Sequence, residues 1–168
     1  ILEKLGFKGK EMKHISYGMV NLPSGKMKSR EGKVVDADDL IEQVRLLTEK
    51  ELKKREKLSR ANLEKKSLII ALAAIKYMLL RVDIKKNILF NPKESLDFEG
   101  NTGPYILYSY VRAGSILKKA PEQKKFEVHE PEGKELDLVK KISQFPEAVL
   151  NASKNLNPSI IANYSYQL

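Results

Sequence analysis

Between Leu68 and Leu80 the chain reads Leu-Ile-Ile-Ala-Leu-Ala-Ala-Ile-Lys-Tyr-Met-Leu-Leu, apolar on nearly every side of a helix. A helix of that kind must be covered over most of its circumference. The segment from about Arg60 to Leu80 is therefore predicted to be scaffold against which the rest packs. Its richest stretch, Leu68–Ile75, is far shorter than the roughly 18 residues a membrane span requires. Lys76 is the one charge within the run; such a lysine either snorkels to the surface or points into a ligand cleft. Just upstream, Leu40, Ile41, Val44 and Leu47 recur at helical spacing and predict a helix that runs to about Leu58. Asp36, Asp38 and Asp39 sit at its start, where carboxylates cap free amides and suit the positive end of the dipole; ligation of Mg²⁺ is the alternative reading.

Asn101-Thr102-Gly103-Pro104 is the best helix start in the sequence, because Asn101 or Thr102 can cap and proline is tolerated in a first turn. Along that helix Ile106, Tyr110, Ala113 and Leu117 share one face, while Tyr108, Arg112, Ser115 and Lys119 share the opposite one. The tyrosine and arginine stripe is either an amphipathic surface or a place for aromatic stacking and phosphate contact with RNA. Residues 121–134, with Pro121, Pro131, Gly133 and alternating charges, read as a linker and the boundary between two domains. Beyond it Leu138, Ile142, Phe145 and Val149 repeat helically, Pro146 bends or restarts the helix, and Asn157-Pro158 opens another. Ile161, Tyr164 and Leu168 are the expected buried stripe of that last helix. Extended structure is predicted for His14–Val20, again at Val34 and Val35, and for a short strand over Val82–Phe90. The fold class is mainly α with a small β component (α+β).

The 168 residues suffice for one ordinary domain or parts of two. There is no cysteine, which excludes a disulfide framework and a cysteine zinc site, and nothing resembles a signal peptide. A cytoplasmic protein without a membrane segment is the default expectation. The formal net charge of +9 favours an anionic partner, or else reflects mixed-charge networks of the kind that aid stability in heat. The chain starts Ile1-Leu2-Glu3 and stops at Tyr166-Gln167-Leu168 within an apolar helical pattern, so an excised piece of a longer protein is expected.

The segment 22–32, Leu-Pro-Ser-Gly-Lys-Met-Lys-Ser-Arg-Glu-Gly, concentrates Lys26, Lys28 and Arg30 between turn formers. Val34 and Val35 then permit extended structure again, which puts the cations on a loop tip. Three close cations are suited to a polyphosphate, whose oxygens accept charge-assisted hydrogen bonds; solvated surface is the plain alternative.

Gly25-Lys26-Met27-Lys28-Ser29-Arg30-Glu31-Gly32 resembles the signature loop of class I aminoacyl-tRNA synthetases in the form found in arginyl-tRNA synthetases. A second block, Phe98-Glu99-Gly100-Asn101-Thr102-Gly103-Pro104-Tyr105 with Tyr108, Tyr110 and Arg112, is similar to a segment of the same enzymes, and so is the run from Gln144 to Leu168. The resemblance implies a C-terminal remnant of a Rossmann-like catalytic domain over 1–120, joined through the linker to the first helices of an all-α anticodon-binding bundle over 135–168. It implies catalytic roles for Lys26, Lys28, Ser29 and Arg30, and places Met27, His14, Tyr17 and Gly18 around the adenosine of ATP. Glu99, Asn101, Tyr105, Tyr108 and Arg112 become substrate- or tRNA-binding candidates, and the charge run from Lys50 to Lys57 becomes either a solvated face or a contact with tRNA phosphates. No resident metal is implied; Mg²⁺ accompanies ATP.

The implied reaction is activation of L-arginine by ATP and its transfer to tRNA(Arg) in protein synthesis. Phosphoryl chemistry of this kind rests on positioning and charge neutralisation. Two departures matter. The usual signature lysine falls where Ser29 stands, with Lys28 one residue earlier, and many relatives carry glutamine where Leu107 stands. The H-I-G-H signature of the class is absent from the chain, so the fragment alone is expected to be inactive. The rival from composition is a non-catalytic basic helical RNA-binding module.

Overall fold

The computed structural model describes residues 3–7, 13–23, 36–121 and 130–168. Over these the chain is mainly helical, with one two-stranded parallel sheet.

Helix α1 spans Ala37–Arg55. Asp36 has the extended backbone of a cap but its side chain makes no cap bond, so the expected carboxylate cap is not formed; Asp38 and Asp39 lie in the first turn, where their charge suits the dipole. The helix ends before the expected Leu58 because Glu56 turns extended and Ser59 opens the next one, its Oγ accepting from the Asn62 amide at 3.4 Å. Helix α2 spans Arg60–Leu80 and packs on α1 as a hairpin, with Lys66 and Glu56 paired at 2.7 Å near the bend. Its buried residues include Ala71, Ala74, Ile75 and Met78, which with Val44, Phe90 and Leu96 make the core. Lys76 is exposed. The predicted burial holds for only part of the helix: Leu68, Ile69 and Leu80 are 40%, 49% and 43% exposed.

The extended run expected over 14–20 narrows to β1 (Val20–Asn21), and that expected within 82–90 narrows to β2 (Ile88–Leu89); Val20 pairs with Ile88 and Asn21 with Leu89, in parallel. The reason is that residues 82–87 fold as turns around Asp83, whose carboxylate accepts from the Lys85 amide at 2.9 Å. The upstream segment therefore bonds to turns, with Gly18 N donating to Ile84 O at 2.7 Å and Met19 N to Asn87 Oδ1 at 2.8 Å.

The short helix α3 (Pro92–Ser95) is capped by Asn91. Helix α4 (Gly103–Lys119) lies against α2. Three helices complete the chain: α5 (Lys134–Ser143), α6 (Phe145–Asn155) and α7 (Ser159–Gln167). Pro146 stands in the first turn of α6, consistent with a restart there. Pro158 occupies the cap position of α7, and Asn157 just before it ties the first turn, its Oδ1 accepting from Ser159 N at 3.1 Å and Ser159 Oγ at 2.8 Å. Tyr164 is buried and its ring centroid lies 5.5 Å from that of Phe145. Leu168 leaves the expected stripe, 55% exposed, because α7 ends at Gln167 and Ser159 and Ala162 hold the other buried positions.

Candidate functional site

The site is built from the turn that opens α4. Asp97 begins it: its Oδ1 accepts from the Glu99 amide at 2.9 Å, and its carbonyl accepts from Thr102 Oγ1. Of the two predicted caps, Thr102 serves, accepting from Tyr105 N at 3.4 Å. Thr102, Gly103 and Pro104 are all buried. Gly103 is required by close approach, since a Cβ there would stand 2.1 Å from the Ala73 carbonyl oxygen of α2.

Asn101 is freed from capping and ties the turn to α2. The Tyr77 hydroxyl donates to its Oδ1, and Arg81 Nη1 donates to its main-chain oxygen at 2.8 Å. Burial pushes the Tyr77 hydroxyl above its ordinary value of 10.0, with the Arg81 charge pulling the other way, so Tyr77 stays protonated and remains a donor. The same end of α2 is held from the C-terminal helices: Asn163 Nδ2 donates to Arg81 O at 3.0 Å, and Asn157 Nδ2 to Asp83 Oδ2 at 2.8 Å. Tyr105, half-buried, completes the joint with its ring centroid 5.6 Å from that of Tyr166. The start of α4 is thereby clamped between α2 and α7.

One turn along, Arg112 Nη1 donates to the Tyr108 hydroxyl at 2.9 Å and its guanidinium lies over the Tyr108 ring at 5.9 Å. Both are exposed. A cavity of about 410 Å³ lies between α1, α2 and α4, lined by Leu52, Ile70, Phe98, Pro104, Leu107 and Tyr108 among others. Leu107 thus meets apolar neighbours. Arg55 stands over the Phe98 ring at 4.7 Å and also lines an adjoining cavity of about 590 Å³ with Lys50, Lys54 and Lys93. Glu51, Glu94 and Asp97 line it as well, so its field is mixed in sign.

Glu99, Asn101 and Tyr105 are gathered at one end of α4, with Tyr108 and Arg112 farther along the same helix. Gly18 lies against the turn after α2, where a Cβ would meet Lys86 O at 2.1 Å; His14 and Tyr17 are exposed, Tyr17 at 86%. Lys26, Met27, Lys28, Ser29 and Arg30 lie outside the described residues. Among the described residues no three His, Asp or Glu side chains come together as a metal site, Asp36, Asp38 and Asp39 included, and no helix is long and apolar enough to cross a membrane. Sequence reasoning missed Tyr77, Arg81 and Asn163, and the tie from Asn157 to Asp83. The available signal was Tyr77 and Arg81 at i, i+4 on an otherwise apolar helix, a spacing that puts both on one face.

Residues 1–91 match the family described as tRNA synthetases class I (R), catalytic domain, and residues 106–168 match the DALR anticodon binding domain. The arginine–tRNA ligase of Bacteroides thetaiotaomicron is 48% identical over 179 residues, covering all of this chain and 30% of its own length. That of Borrelia duttonii is 50% identical over 175 residues, with the same coverage. The chain thus spans about 30% of the length of these curated relatives. Among solved structures, Thermus thermophilus arginyl-tRNA synthetase superposes with a TM-score of 0.81 at 30% identity, covering 92% of this chain and 26% of that one. Plasmodium falciparum arginyl-tRNA synthetase gives 0.76 at 26% identity, with the same coverage.

Proposed function

The chain belongs to the arginyl-tRNA synthetase family of class I tRNA synthetases, and from that premise we propose that it is the part of an arginine–tRNA ligase that carries the signature loop and joins the catalytic domain to the anticodon-binding domain. One observation carries the reading: catalytic and anticodon-binding family models follow one another along the chain, at 1–91 and 106–168. The turn between them is the one clamped between α2 and α7. In the proposed division, 1–120 is catalytic, 121–134 is the linker and 135–168 opens the helical anticodon-binding domain, although the anticodon-binding family match begins earlier, at residue 106.

The arginine carboxylate attacks the α-phosphate of ATP and pyrophosphate leaves; the terminal ribose hydroxyl of tRNA(Arg) then attacks the arginyl carbonyl and AMP leaves. Lys26 and Lys28 neutralise the β- and γ-phosphates, with Ser29 and Arg30 supplying further donors to the same oxygens. His14, Tyr17, Gly18 and Met27 line the adenosine. Glu99, Asn101, Tyr105, Tyr108 and Arg112 meet arginine or the tRNA end; the Arg112–Tyr108 pair joins a fixed cation to a stacking face, which supports an RNA contact. Mg²⁺ arrives with ATP, and the enzyme works in the cytoplasm. The 168-residue chain by itself is inactive, because it lacks the H-I-G-H signature.

The test is ATP binding by the complete ligase carrying Lys26→Ala and Lys28→Ala. Weakened ATP affinity supports the assignment. Unchanged affinity would favour a basic RNA-binding module without catalysis.

A further inference from the structure

We infer that Tyr77 and Arg81 are positioning residues for Asn101: together they fix its carboxamide so that Nδ2 is held as the free donor at the mouth of α4. An asparagine amide can present either oxygen or nitrogen to a neighbour, and the neighbour decides which. The Tyr77 hydroxyl, on a residue only 7% exposed in the wall of α2, can donate or accept, and here it donates to Oδ1. Oδ1 faces it, so the amino group takes the other direction. Arg81, one turn along α2, holds the Asn101 carbonyl at 2.8 Å, so backbone and side chain of Asn101 are pinned from the same helix face.

Asn101 is half-buried, and its Nδ2 has no partner among the described residues. A fixed amide donor beside the first turn of a helix suits an acceptor oxygen of a carboxylate, phosphate or ribose. Burying a tyrosine hydroxyl costs free energy unless it is bonded, and phenylalanine would fill the same volume with no such demand. The hydroxyl therefore has a use that packing does not supply. The other side of the unit is held by α7, through Asn163 on the Arg81 carbonyl. The C-terminal helices thus bear on the same asparagine.

This inference rests on the reading that Asn101 contacts a substrate of the ligase. It is tested in the complete ligase with Asn101→Ala, Tyr77→Phe and the double variant, measuring KM and kcat for arginine, ATP and tRNA in charging, with thermal melts as the folding control. The expected result is that Tyr77→Phe and Asn101→Ala raise the KM of the same substrate by roughly fivefold or more, the scale of one lost hydrogen bond. The double variant is expected to be no worse than Asn101→Ala, with kcat and melting temperature little changed for Tyr77→Phe. Arg81→Lys, which keeps a donor for the carbonyl, should retain activity that Arg81→Met loses. If Asn101→Ala is impaired and Tyr77→Phe is not, or if the two effects simply multiply, the positioning role is overturned and the substrate role stands. If Asn101→Ala is silent, both fall.

Discussion

Gly103→Ala is the sharpest structural perturbation available in this chain. The new methyl carbon would stand 2.1 Å from the Ala73 carbonyl oxygen and 2.4 Å from its carbon, both backbone atoms of α2 that cannot rotate away. Ordinary contact needs about 3.5 Å, so α4 has to lift off α2 by more than about 1 Å. Overpacking of this kind costs about 1–3 kcal/mol. The same movement pulls Asn101 from Tyr77 and Arg81, and exposing or unpairing such groups adds about 1–3 kcal/mol. The expected loss is therefore about 2–6 kcal/mol. Gly114, on the same helix, has nothing within 4 Å of an added Cβ. There the same substitution should stabilise by up to about 1 kcal/mol through helix propensity alone. Urea denaturation followed by far-ultraviolet circular dichroism measures both. A Gly103→Ala chain as stable as the parent, or a Gly114→Ala chain equally destabilised, would refute the close packing of α4 on α2.

Thr102→Val removes a cap from Tyr105 N and a donor from the Asp97 carbonyl, and should cost about 1–2 kcal/mol in the same denaturation assay. Leu156 ends α6 in the left-handed region at φ 51, ψ 38, so Leu156→Gly should stabilise by about 1 kcal/mol, read as a raised melting temperature. On α1, hydrogen bonds from Arg45 hold Glu42 below its ordinary value of 4.5, while Lys53 and then Arg45 do the same for Glu49. A lowered carboxylate contributes stability that is present above its unfolded value and lost as pH falls through the folded one. Stability should therefore decline as pH drops below about 4.5, and added salt should flatten that decline because Glu42 and Lys53 stand in solvent, while Arg45 and Glu49 are half-buried.

The fold was legible where local chemistry decides it. Thr102 and Pro104 announce α4, Pro146 announces the restart at α6, and Asn157 announces α7, because caps and first-turn prolines act within three residues of where they are written. Asp36 shows the limit: the residue type suits a cap, yet its side chain makes no such bond. The strands were overestimated because extended propensity in 14–20 and 82–90 says nothing about what stands opposite; the turn around Asp83 leaves only two residues on each side to pair. In the candidate site, the residues of the Phe98–Tyr105 block were found, but Asn101 was read as a possible cap. Its partners Tyr77 and Arg81 lie 24 and 20 residues away on another helix, a proximity set by how α4 docks on α2. Asn163 is more distant still, 82 residues from the carbonyl it binds.

We propose that this chain is part of a working arginine–tRNA ligase and that it does not do the chemistry alone. Charging of tRNA(Arg) with labelled arginine, run on the complete protein and on the 168-residue chain side by side, tests it most directly. The account predicts ATP-dependent charging that is specific for arginine with the complete protein, and none with the isolated chain. Charging by the isolated chain, or a complete protein that charges another amino acid or none, would contradict it.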